Sequence, residues 1–255
     1  MAMRASQSIK RNIKLILEYD GTNYHGWQSQ AGSGMPTIQE TLEKALTLLS
    51  KEEGKVFSSG RTDAGVHALG QVINFQTKTS IPAPAWAPAL NRLLPADIRV
   101  LTSEEVSPEF HARYSARSKV YKYRILNRHA QTAIYRAYAW HINLPLNVSR
   151  MRRASSVLLG KHDFSSFRGS GCSAKSPIRT LKSVAIRKNG EFLELLFEAD
   201  AFLQYMVRNI TGTLVEVGLG RFNTNEIVKI LRAKDRSMAG KTAPPHGLYL
   251  LSVTY

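Results

Sequence analysis

Apolar and polar positions alternate through "NIKLILEYD" (12–20), and this period of two, with its β-branched content, predicts a strand. "GTNYHGWQSQAGSGMP" follows as a long glycine-rich loop. The pattern then changes period. Ile38, Leu42, Ala45, Leu46 and Leu49 recur at helical spacing behind Thr37 and Glu40, the spacing of a capping box, which predicts a helix. "KVFSS" (55–59) and "LGQVINFQT" (69–77) read as strands, so "GRTDAGVHA" between them is placed on their connecting loop. "WAPALNRLLP" predicts a second helix, stopped by Pro95.

The second half repeats the theme. "ARSKVYKYRIL" and "YAWHINL" read as strands, and "NVSRMRRASSVLLG" as a helix. "TLKSVAIRKNGEFLELLFEAD" reads as a hairpin turning at Asn189-Gly190, and "GKHDFSSF" (160–167) as a loop. Leu203, Met206, Val207, Ile210, Leu214 and Val217 form the apolar stripe of a long helix over 203–219, with Arg208 about 140° round from Leu203. A short helix over 224–233 and a last strand, "GLYLLSVTY", complete the reading. Strands and helices that do not strictly alternate predict an α+β fold with mixed or antiparallel sheets flanked by helices. The repetition divides the chain into an N-terminal unit, 1–110, and a C-terminal unit, 111–255.

Charge adds a partner class. The chain carries 35 Lys and Arg against 19 Asp and Glu, and between residues 110 and 190 there are 17 basic residues but only one carboxylate, Asp163. Random scatter would leave more acids there, so the segment predicts a polyanion as partner. "FHARYSARSKVYKYRIL" (110–126) interleaves five basic residues with Tyr114, Tyr121 and Tyr123, giving cations for phosphates and rings for bases. In a strand Tyr121 and Tyr123 share one face and Lys122 and Arg124 the other. No apolar run has the roughly 18–20 residues of a membrane span and no signal-like block opens the chain, which predicts a cytoplasmic protein. The single cysteine, Cys172, pairs with nothing internal and belongs to no zinc-like cluster.

Asp63, in "SGRTDAGVHA", is the chief candidate for chemistry. Two nearby glycines allow close backbone approach to a ligand, and Arg61 beside it in sequence would keep the carboxylate ionised. Three readings stand at this point: an Asx turn, a metal ligand with His67, or a nucleophile. Two metal ligands without a third are weak grounds. Arg208 stands open between a surface charge and a partner for a carboxylate such as Asp63. Phosphate-binding, dinucleotide and nucleophile-elbow motifs are all missing, which predicts chemistry without a nucleotide, flavin or redox-metal cofactor.

"YDGTNYHGWQSQ" (19–30), "SGRTDAGVHALGQVINF" (59–75), "FHARYSARSKVYKYRI" (110–125), "GKHDFSSFR" (160–168), "FLQYMVRNITG" (202–212) and "APPHGLYL" (243–250) resemble, in order, the motifs of the tRNA pseudouridine synthase A family. Pro245 stands where the family pattern has alanine, and residues 1–9 have no counterpart in it. The resemblance implies isomerisation of uridine to pseudouridine at positions 38, 39 and 40 of the tRNA anticodon stem-loop, with no cofactor. It implies Asp63 as nucleophile or base, Arg208 as its ion-pair partner, Arg61 filling the space of a flipped base, and Tyr121 stacking on the uracil. It also implies tRNA-backbone contacts from Phe110, His111, Ala112, Arg113 and Tyr114, and from Gly171, Cys172, Ser173, Ala174 and Lys175. Two related α+β domains and a homodimer that binds tRNA across both subunits complete the implication.

Overall fold

The computed structural model describes residues 10–28 and 34–255. Residues 29–33 of the glycine-rich loop and the N-terminal extension, 1–9, lie outside the described residues. The fold is α+β: one mixed sheet, ten strands among the described residues, packed with five α-helices. β1 (Arg11–Tyr19), β2 (Phe57–Ser58), β3 (His67–Thr77) and β4 (Ile98–Val106) come from the first part of the chain. α1 (Ile38–Ser50) and α2 (Trp86–Asn91) lie between them in sequence. The capping box of α1 is present, Thr37 accepting from the Glu40 amide while the Glu40 side chain accepts from the Thr37 amide.

β5 (Ser118–Asn127), β6 (Trp140–Ile142), β7 (Gly160–Asp163), β8 (Ile178–Asn189), β9 (Phe192–Ala199) and β10 (Leu248–Thr254) complete the sheet. With them come α3 (Val148–Ser156), α4 (Met206–Gly218) and α5 (Thr224–Ala233). The strand order is β4-β1-β3-β10-β5-β9-β8-β7, with β2 on β3 and β6 on β5. β10, the last strand, runs parallel to β3 and antiparallel to β5, so the sheet is continuous across the two halves of the chain.

Register places Tyr19, Ala68, Leu250, Tyr121 and Phe197 in one row across five strands, all on the same face and all buried. His67, Tyr249 and Lys122 form the adjacent row on the opposite face. Two strands depart from the sequence reading. β4 was not anticipated because its outer half, "TSEEV", is polar; ion pairs of Lys14 with Glu104 and Arg11 with Glu105 hold it to β1. "GKHD", read as loop, is the edge strand β7, paired residue for residue with Leu181 to Ile178 of β8.

The helix read over 203–219 begins only at Met206, because Tyr205 adopts a left-handed φ of 63° that no helix interior tolerates. The stripe also needs correction. From Asn209 to Gly218 every residue of α4 is buried, so the helix is a central one and not amphipathic in the usual sense. α2 likewise stops at Asn91, short of Pro95.

Candidate active site

The loop between β2 and β3 is fastened to the sheet at each step. Ser59 is fully buried, donating from Oγ to Gln71 Oε1 (2.6 Å), and Gln71 Nε2 in turn donates to Gly60 O (2.8 Å). Thr62 Oγ1 and the Tyr19 hydroxyl lie 2.8 Å apart. The near end of the glycine-rich loop closes on the other side. Trp27 N donates to Thr62 O (3.0 Å), and a Cβ on Gly26, at φ 80°, would stand 2.5 Å from that same oxygen. Asp63 O accepts from Val66 N (3.1 Å) around Gly65 at φ 75°. Backbone alone closes this turn, so the Asp63 carboxylate is left for another partner.

That partner is Arg208. Its Nη1 donates to Asp63 Oδ2 at 2.9 Å, and its Nε donates to Ala243 O at 2.8 Å. Ala243 N donates back to Arg208 O (3.1 Å), and the guanidinium lies over the Tyr205 ring, 4.8 Å from its centroid. The clamp depends on a close backbone approach: a Cβ on Gly212 would fall 1.7 Å from Lys241 O, so only glycine lets the 240–243 segment lie on α4. Arg208 is held on three sides before any ligand arrives.

Both members of the ion pair are mostly covered, their side chains 13% and 24% exposed. Burial pushes the Asp63 carboxyl above the ordinary carboxylate range, and the Arg208 guanidinium opposes that shift without cancelling it. Tyr121 is buried in the central row, its ring edge-on to Phe202 at 5.0 Å. Burial first, then the fields of Tyr19 and Asp63, raise its phenol well above 10, so it stays neutral beside the carboxylate. The result is a partly desolvated carboxylate with one oxygen fixed by a guanidinium and an aromatic floor nearby. Such a group can attack an electrophilic carbon or take a proton.

The other sequence candidates separate. Arg61 is exposed and makes no ion pair with Asp63 among the described residues; the neighbouring cation comes from 145 residues further on. His67 faces away. It stacks on Tyr249 at 4.8 Å, accepts from Gly21 N (3.1 Å) and donates from Nε2 to Ala137 O (2.9 Å), while burial depresses its pKa. No group of three metal-ligating side chains occurs among the described residues. Tyr123 is fully buried, its hydroxyl donating to Pro244 O.

In the segment 110–114, Arg113 and Tyr114 are exposed, whereas Phe110 packs on Tyr255 and Ala112 is buried with its amide on Asn74. His111 lies half-buried against Phe57. Gly171, Ser173 and Lys175 are exposed, while Arg168 ties down the carbonyls of Cys172 and Ala174. Sequence reasoning missed Tyr205, Gln71 and the Ala243 carbonyl, none of which carries a local signal. Pro245 does carry one: it departs from the family pattern, and it sits over the turn, 3.2 Å from where a Gly65 Cβ would be.

A family model described as tRNA pseudouridine synthase matches residues 15–115 and again 154–255. The chain belongs to the tRNA pseudouridine synthase family. It is 51% identical to a protein of Thermoanaerobacter sp. strain X514 named tRNA pseudouridine synthase A, over 96% of this chain and 100% of that one. A protein of the same name from Acetivibrio thermocellus is 47% identical, with 96% and 100% covered. Another from Moorella thermoacetica is 46% identical, with 95% and 99% covered. Both matched segments contribute to the ion pair, Asp63 from the first and Arg208 from the second.

Proposed function

We propose that this chain isomerises uridine to pseudouridine in tRNA, at positions 38, 39 and 40 of the anticodon stem-loop, with Asp63 as the reacting carboxylate. The observation that carries the reading is the half-buried Asp63–Arg208 pair beside Tyr121, within a chain of this family. In the reaction the N1–C1′ bond breaks, the uracil rotates in the site, and C5 bonds to C1′. The proton displaced from C5 is matched by one gained at N1, so the composition of the RNA is unchanged.

Asp63 serves as nucleophile towards ribose or base, or as the base that forms a glycal intermediate. Arg208 holds one carboxylate oxygen and leaves the other to the substrate. Tyr121 offers its ring to the extruded uracil, and Arg61, exposed at the mouth of the loop, fills the vacated place in the stem. Extrusion costs a few kcal/mol of unpairing and unstacking, which phosphate contacts from segments 110–114 and 171–175 would offset. The protein works in the cytoplasm as a homodimer with two related domains, 1–110 and 111–255. The doubled family match supports the two domains, and exposed apolar side chains such as Ile134 and Leu144 supply surface for a second copy.

The test is direct. Purified protein is incubated with unmodified tRNA transcript, and pseudouridine is mapped by carbodiimide adduct stops. Stops at positions 38 to 40 are expected; tRNA that is bound but unmodified would leave only a binding protein.

A further inference from the structure

Lys119 has no part in the reading above, yet it lies against the same loop. It precedes Tyr121 by two residues on β5, so both side chains leave the same face of the strand. Its Nζ donates to Ser59 O at 2.5 Å. A Cβ on Gly60 would lie 3.4 Å from that ammonium and 4.0 Å from the Tyr121 hydroxyl. The cation is therefore seated between the Asp63 loop and the ring offered to the base.

Its surroundings are unusual for a half-buried lysine. One carbonyl receives one of three ammonium protons, and no carboxylate lies within ion-pair distance among the described residues. The charged neighbours are Arg113 and Arg179, both positive. Burial, then those two guanidiniums, push the Lys119 pKa down to about 8. Neither arginine has an ion pair of its own among the described residues, and Arg179 Nε is buried without a partner. Lys119 feels these two positive charges and has no carboxylate within ion-pair distance among the described residues, an arrangement that a negative group would relieve.

We propose that Lys119, with Arg113 and Arg179 at its rim, seats the backbone phosphate next to the uridine that enters the Asp63 site. The inference rests on the reading of RNA as substrate. A nucleotide swung out of a stem loses its stacking partners but stays joined to its phosphates, and a phosphate held at Lys119 fixes the attached ribose relative to Asp63. Lys119 is thus a positioning residue.

The experiment measures the affinity of an unmodified anticodon stem-loop RNA against salt for wild type, Lys119→Gln and Lys119→Arg. Alongside it, neutral methylphosphonate linkages are placed singly at each phosphate flanking the target uridine. Lys119→Gln is expected to weaken binding about tenfold and to flatten the slope of log K against log salt by roughly one, with Lys119→Arg keeping the slope. One neutral linkage beside the uridine should weaken binding to wild type and not to Lys119→Gln. A wild-type slope in folded Lys119→Gln would overturn the inference and leave Lys119 a prop for the loop. A linkage scan that costs wild type nothing at the flanking phosphates would overturn it without any variant. RNA that wild type neither binds nor isomerises would instead defeat the functional reading itself.

Discussion

Asp63 sits between two opposed influences. Desolvation raises its pKa and Arg208 lowers it, with burial ahead. Because the raised folded pKa favours the protonated form, this group works against folding once pH rises through that pKa, and not below the unfolded value. Activity, on the role proposed for Asp63, runs the other way, since the carboxylate would have to be ionised to attack or to accept a proton. The acid limb of kcat/KM is therefore expected above the ordinary value of 3.8 for an aspartate. Arg208→Gln should move that limb to still higher pH while slowing turnover. A limb that stays in place, or falls, would show that Arg208 does not set the ionisation of Asp63.

At the scale of elements, the site is an alignment of a loop, a helix and a passing segment. α4 presents Arg208 in its first turn because Tyr205 starts the helix there, and the 240–243 segment caps Arg208 because Gly212 lets it approach. Gly212→Ala would force that backbone away, costing about 1–3 kcal/mol as overpacking does. A Tm lowered by several degrees together with reduced kcat/KM is expected from thermal melts and steady-state rates. A stable, fully active variant would remove the clamp from the account.

Much of this level was legible in the sequence. The capping box of α1, the short helix α5, the hairpin at Asn189-Gly190 and the strands around the Asp63 loop follow from local chemistry. The charged edge strand β4 and the short β7 did not, because pairing partners rather than periodicity make them strands. Arg208 illustrates the same limit. Its angle around the helix said only that it differed from the stripe, and its contact with Asp63 is set by tertiary packing. Spacing alone could not choose among the three readings of Asp63. The turn closed by Gly65 and the turning away of His67 are facts of the folded chain.

For the whole molecule, charge distribution is the feature that links fold to substrate. Part of the basic segment is answered within the sheet: Glu194 lies near Lys122 and Arg124, and Glu191 pairs with Arg128. Arg113, Arg117, Lys175 and Lys182 remain exposed. Under the proposed function, a surface of this kind would attract RNA without reading it, and selection would fall to the Asp63 site and the base extruded into it. Binding and chemistry are thus separable.

That separation gives the decisive measurement: release of tritium from tRNA labelled at uridine C5, by wild type and by Asp63→Asn, with tRNA affinity measured beside it. Wild type should release tritium, and Asp63→Asn should bind tRNA with near wild-type affinity while releasing none above background. Sustained release by folded Asp63→Asn would contradict the assignment of Asp63 as the reacting carboxylate.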